Sequence, residues 1–117
     1  ELPDDPEQLS STELGQYMLR LSAWTVYSLR LQGLAEAEFK ILEDELLQLS
    51  IPLRDELGRS GVEVRVAHVL STRDDLRERR YQLLAVVRQL EVRVRIYERC
   101  WATLSRELAR RELESRT

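Results

Sequence analysis

LLAVVRQLEVRVRIYERCWATLSREL, residues 83–108, contains neither glycine nor proline, and its apolar residues recur with a helical rhythm. Leu83, Val87, Leu90, Val94, Tyr97, Trp101, Leu104 and Leu108 follow one another at alternating steps of four and three. That spacing draws one stripe along an α-helix and suits it to pack against a second helix, as in a coiled coil. Upstream, LSTRDDL offers Ser71 as a cap, with Asp74 and Asp75 placed where carboxylates favour the positive end of a helix. A helix is therefore expected over about 72–114.

A second helix precedes it. Ser10 followed by Glu13 has the spacing of a capping box. Leu14, Tyr17, Leu21, Trp24, Tyr27, Leu31, Ala35, Phe39, Leu42, Leu46, Leu49 and Leu53 then keep to one side at steps of three or four. Pro52 removes a backbone donor and disfavours helix at Ile51, so this helix is expected over about 11–51. The connector, 52–71, holds Gly58, Ser60 and Gly61, residues suited to reversing the chain. Within it VEVRVA, residues 62–67, alternates apolar and polar and fits a short extended piece, although six residues without a partner strand make no sheet. The fold expected is all-α, an antiparallel helical hairpin occupying 11–117 as one domain. Two helices of about 40 residues each would be about 60 Å long. Residues 1–10, acidic and with two prolines, are expected as a flexible lead-in and lack the basic and apolar regions of a signal peptide. No apolar run reaches membrane-spanning length, and a cytoplasmic setting is expected.

Of the 117 residues, 43% are hydrophobic and 33% charged, the composition of a long-helix protein. Enzyme chemistry finds little to work with. The single cysteine, Cys100, lies by angle on the flank of the Tyr97–Trp101–Leu104 stripe, alongside Val86 and Ile96, and is expected to be packed. The single histidine, His68, falls before the second helix and is expected as a polar turn residue; one His and one Cys form neither a nucleophile with its base nor a zinc site. No glycine-rich phosphate loop, HExxH pair or GxSxG elbow occurs, so no enzyme activity, cofactor or metal is expected.

Charge is unevenly spread. Residues 1–70 carry six basic and thirteen acidic side chains, whereas 71–117 carry twelve and eight. Arg88, Arg95, Arg99, Arg106 and Arg110 fall within about 60° of arc opposite the Leu83–Leu108 stripe, an outward basic face suited to a phosphate backbone. Solvated arginine faces are also common on helices, and Glu91 and Glu107 are spaced to pair with Arg95 and Arg111. Apolar residues reach beyond a narrow two-helix seam: Tyr17, Met18, Trp24, Tyr27 and Phe39 on the first helix, Leu84, Val86, Val92 and Ile96 on the second. Such breadth points to a homo-oligomer of hairpins, with Leu21, Trp24, Leu31, Leu42, Leu83, Val87, Leu90, Val94, Tyr97, Trp101 and Leu104 in the core or oligomer seam. Arg80 falls on the seam between Leu76 and Leu83, where an acid of the first helix is its expected partner.

The order of these features resembles the UvsY-type recombination mediators of bacteriophages. The shared pattern runs from about Leu14 to Arg111: a long first helix with early aromatics and an EA-rich middle, an interruption, VAHVLSTRDDL, and a second helix ending in a cysteine and aromatic cluster with SREL. The resemblance implies an α-helical protein that closes into a homo-oligomer, binds single-stranded DNA and helps load a RecA-like recombinase in place of single-strand binding protein, in the bacterial host cytoplasm. Family DNA binding is associated with basic residues late in the first helix. Here that stretch, EAEFKILEDELL, is acidic apart from Lys40, so the site is not carried over. The Arg88–Arg110 face replaces it as the candidate, with Arg20 and Arg30 near Trp24 and Tyr27 as additions. The alternative is a structural coiled-coil protein, an assembly chaperone or adaptor that takes a protein partner and no DNA.

Overall fold

The computed structural model describes residues 5–54 and 61–116. It contains three α-helices among these residues: α1 Ser11–Ser50, α2 Val62–Thr72 and α3 Asp74–Ser115. Short 3-10 turns at Pro6–Gln8 and Ile51–Arg54 flank α1.

The start of α1 is set by the expected capping box. Glu13 N–H donates to Ser10 Oγ at 3.1 Å, and Ser10 N–H donates to Glu13 Oε1 at 3.3 Å. These reciprocal bonds satisfy backbone donors that a helix start leaves open. At its far end the buried Ser50 turns its hydroxyl back onto Leu47 O at 2.6 Å. Pro52 then lies in the 3-10 turn, where no i→i−4 ladder is asked of it.

The connector departs from expectation. Residues 62–72 form α2, neither an extended piece nor a turn. The alternation of VEVRVA competed with a second pattern, in which Val62, Val66, Val69 and Leu70 fall at helical spacing. Packing selects the helical pattern: Val69 is buried and Val66 and Leu70 pack beside it, while Val64 points outward and is 54% exposed. His68 is accordingly an exposed helical residue. Ser71 does not cap α3; it belongs to α2 and donates its hydroxyl to His68 O at 2.7 Å. The break falls at Arg73, whose φ of −116° and ψ of 89° leave the helical region. The Arg73 guanidinium grips both oxygens of Asp75, at 3.1 and 3.0 Å, and stands outside the first turn of α3. The turn expected from Gly58 and Ser60 lies outside the described residues.

The chain divides into two compact units. In the first, residues 1–31 with 90–117, Leu14, Leu21 and Leu104 are buried. Leu9, Tyr17, Met18, Trp24, Tyr97, Cys100 and Leu108 pack around them. In the second, residues 32–89, Leu42, Leu46, Val69 and Leu76 form the core, with Leu49, Leu53, Val66, Leu70 and Leu83 against it. In the first unit early residues of α1 meet late residues of α3, and in the second late residues of α1 meet early residues of α3, so the two long helices pack antiparallel.

The buried line on α1 runs Leu14, Leu21, Ser28, Ala35 and Leu42, a strict seven-residue repeat. Ser28 takes the seam position expected for Tyr27, which is 63% exposed. The small hydroxyl side chain fits where a ring does not. Arg80 is half-buried, and its guanidinium lies 5.5 Å from the centroid of the Phe39 ring, in place of the expected acidic partner. Residues 5–10 are not a free lead-in: Asp5 caps the Pro6–Gln8 turn, and Arg111 ties this segment to α3. No described helix is long and apolar enough to cross a membrane.

Candidate nucleic-acid interface

The heptad stripe of α3 turns inward, so the side chains opposite it meet solvent. In the first unit Leu90, Val94 and Leu104 are buried, and Tyr97 and Cys100 are half-buried in the cluster around Leu21. Trp24 and Tyr97 pack ring to ring, 5.7 Å between centroids and tilted by 46°. Both rings are half-buried and engaged with each other beside the core. Leu31 and Val87 are half-buried, as is Leu83 in the second unit. Trp101 is 42% exposed in the single chain, and with Ser22, Thr25, Val26 and Glu98 it lines an open groove of about 300 Å³.

The arginines divide into two sets. Arg110 and Arg111 are neutralised where they stand. Arg110 donates through Nη2 and Nε to Glu107 at 2.7 and 3.0 Å and through Nη1 to Glu114. Arg111 donates through Nε to the same Glu107 Oε1 at 2.9 Å. Glu107 is 8% exposed, and the hydrogen bonds from Arg110 and Arg111 hold its carboxyl down at about 2, while the Arg110 guanidinium is raised by Glu107. Arg73 is likewise taken by Asp75, Arg77 by Asp74 and Arg116 by Glu112. Arg110, expected on the basic face, is thus occupied by carboxylates of its own helix. The spacing Glu107, Arg110, Glu114 permits both pairs, at i,i+3 and i,i+4.

The second set is open. Arg95, Arg99 and Arg106 in the first unit are exposed and make no ion pair among the described residues; Arg106 Nε donates only to Ala102 O, at 3.4 Å. Arg88, in the second unit, is also exposed without an acidic partner among the described residues. Of the expected additions, Arg20 lies over the Tyr17 ring at 5.6 Å, whereas Arg30 and Tyr27 are exposed one turn apart on α1. Free guanidiniums of this kind are suited to phosphate oxygens, which they contact as forked donors.

Cys100 is a free, half-buried thiol packed in the first unit's cluster, and His68 belongs to the second unit. Among the described residues no group of three His, Cys, Asp or Glu side chains is arranged to hold a metal ion. No family model, curated protein or solved structure matches this chain.

Proposed function

We propose that this chain is a non-enzymatic, self-associating helical-hairpin protein that binds single-stranded DNA through Arg88, Arg95, Arg99 and Arg106, and that it acts as a recombination mediator assisting a RecA-like recombinase. One observation supports the DNA part. The protein pairs five arginines, Arg73, Arg77, Arg110, Arg111 and Arg116, with local carboxylates, yet leaves Arg95, Arg99 and Arg106 exposed and without acidic partners among the described residues. The mediator role, the closed homo-oligomer and the host-cytoplasm setting come from the resemblance to the UvsY-type proteins. Arg110 drops out of the site, because a phosphate there must compete with Glu107 and Glu114.

The test is fluorescence anisotropy of a labelled single-stranded oligonucleotide at low and moderate salt. Binding that weakens with salt and is lost when Arg88, Arg95, Arg99 and Arg106 are changed to Gln supports the reading. No binding at low salt overturns it.

A second reading, a structural coiled-coil adaptor with a protein partner, is favoured by the apolar side chains α1 leaves in water. Leu19 is 73% exposed, Val26 68% and Ile41 62%. A protein partner captured without DNA supports this reading over the first.

A further inference from the structure

The second unit contains a groove bounded by α1, α2 and α3, about 260 Å³ in volume. Leu47 and Val62, 42% and 45% exposed, form its apolar wall with the half-buried Val66 and Leu70. Glu43 and Glu63 stand on its rim, both exposed and neither in an ion pair among the described residues. Arg80 also lines it, but its guanidinium is held against the Phe39 ring. The rim therefore carries two open carboxylates against one engaged cation. Exposed Asp44 and Glu45 beside it make the surroundings more acidic. The volume falls below the roughly 300–1,000 Å³ typical of sites that enclose a drug-sized molecule. The groove suits side chains presented by a helix, with apolar tips for its wall and cations for its rim.

That complement exists on this chain. Val92 and Ile96 are 52% and 45% exposed, and at i,i+4 they are neighbours on the surface of α3. Arg95 and Arg99 lie within about 60° of Val92 around the helix and have no acidic partner among the described residues. A pair of aliphatic side chains flanked by two free guanidiniums is thus left in water on the first unit. An aliphatic wall flanked by two free carboxylates is left in water on the second.

We infer that the groove beside Glu43 and Glu63 receives the Val92–Arg99 face of α3 from a second copy of this chain. The two patches differ, so the contact closes a dimer if made twice about a two-fold axis, and a ring or filament if it passes from copy to copy. Arg95 and Arg99 also belong to the face assigned to single-stranded DNA. If that reading holds, docking and strand binding compete for the same guanidiniums; the docking itself does not depend on it.

The experiment uses the full chain, without nucleic acid, and reads mass by sedimentation at low salt. One variant carries Glu43→Arg and Glu63→Arg, the other Arg95→Glu and Arg99→Glu. All four positions are exposed, and circular dichroism checks that the helices persist. Each variant then presents like charges at both halves of the contact, whereas an equimolar mixture restores opposite charges in both directions. The expected result is an assembled wild type, each variant alone at the 13.8 kDa of one chain, and reassembly on mixing. A wild type at 13.8 kDa, variants that assemble as the wild type does, or a mixture that stays at 13.8 kDa overturns the inference.

Discussion

Arg111 Nε donates to Glu107 Oε1 at 2.9 Å, and the same guanidinium reaches back about a hundred residues to Ser11 Oγ at 3.3 Å and to the carbonyls of Pro6, Glu7 and Leu9. One side chain thereby joins the end of α3 to the segment that precedes α1. Because Glu107 is held in place by Arg110 and Arg111, it orients the donor that does the joining.

This linkage makes the first unit sensitive to acid. The Glu107 carboxyl is lowered from its ordinary 4.5 to about 2, so its stabilising contribution is complete above the unfolded value. That contribution is lost as pH falls from about 4.5 towards 2. Thermal melts between these pH values are expected to show a decline that Glu107→Gln removes. An equal decline in the variant contradicts the assignment.

Arg111→Ala is expected to release residues 5–10 while α1 and α3 stay helical. The backbone carbonyls of Pro6, Glu7 and Leu9 lose a shared donor, and Leu9 loses its tether beside the Leu14–Leu104 cluster. Hydrogen exchange should show faster exchange at the amide of Leu9, which donates to Pro6 O, with little change at Leu21.

Leu21 is fully buried in the first unit, and Leu21→Ala is expected to cost about 2–5 kcal/mol in denaturant unfolding at fixed protein concentration. Cys100→Ala, at a half-buried site, is expected to cost about 0.5–1.5 kcal/mol and to leave strand binding unchanged. Loss of function in that variant without loss of stability would mean that the thiol has a chemical role.

Gly33 lies within α1 on an exposed stretch, and a Cβ built there meets nothing within 4 Å. Gly33→Ala is expected to raise stability by about 0.5–1 kcal/mol, since alanine restricts the unfolded chain more than glycine does. A fall in stability would mean that another surface covers this position.

Much of the helical framework is legible in the sequence because local signals and burial agree there. The Ser10–Glu13 capping box forms, and Leu90, Val94 and Leu104 are buried where the seven-residue rhythm puts them. The departures at VEVRVA and at Tyr27 share a cause, which is that tertiary packing chose between two local patterns. VEVRVA fits alternation as well as a helix until Val69 finds the core. Tyr27 looks more apolar than Ser28, yet the seam needs the smaller side chain. Trp101 keeps the heptad spacing and still lies at the edge of a groove. Arg110 shares the periodicity of the open arginines, and only the geometry of Glu107 and Glu114 separates it from them. The Arg111 tether has no local sequence signal, since its partners are backbone carbonyls at the opposite end of the chain.

The most direct test of the DNA-binding account is the salt dependence of single-strand affinity, compared among the wild type, Arg95→Gln/Arg99→Gln/Arg106→Gln and Arg110→Gln. At about 0.7 per phosphate contact, the triple variant is expected to flatten the log–log slope by about 2. Arg110→Gln is expected to leave it nearly unchanged, because that guanidinium is already paired with Glu107 and Glu114. A triple variant that keeps the wild-type slope, or a wild type with no measurable affinity at low salt, contradicts the account.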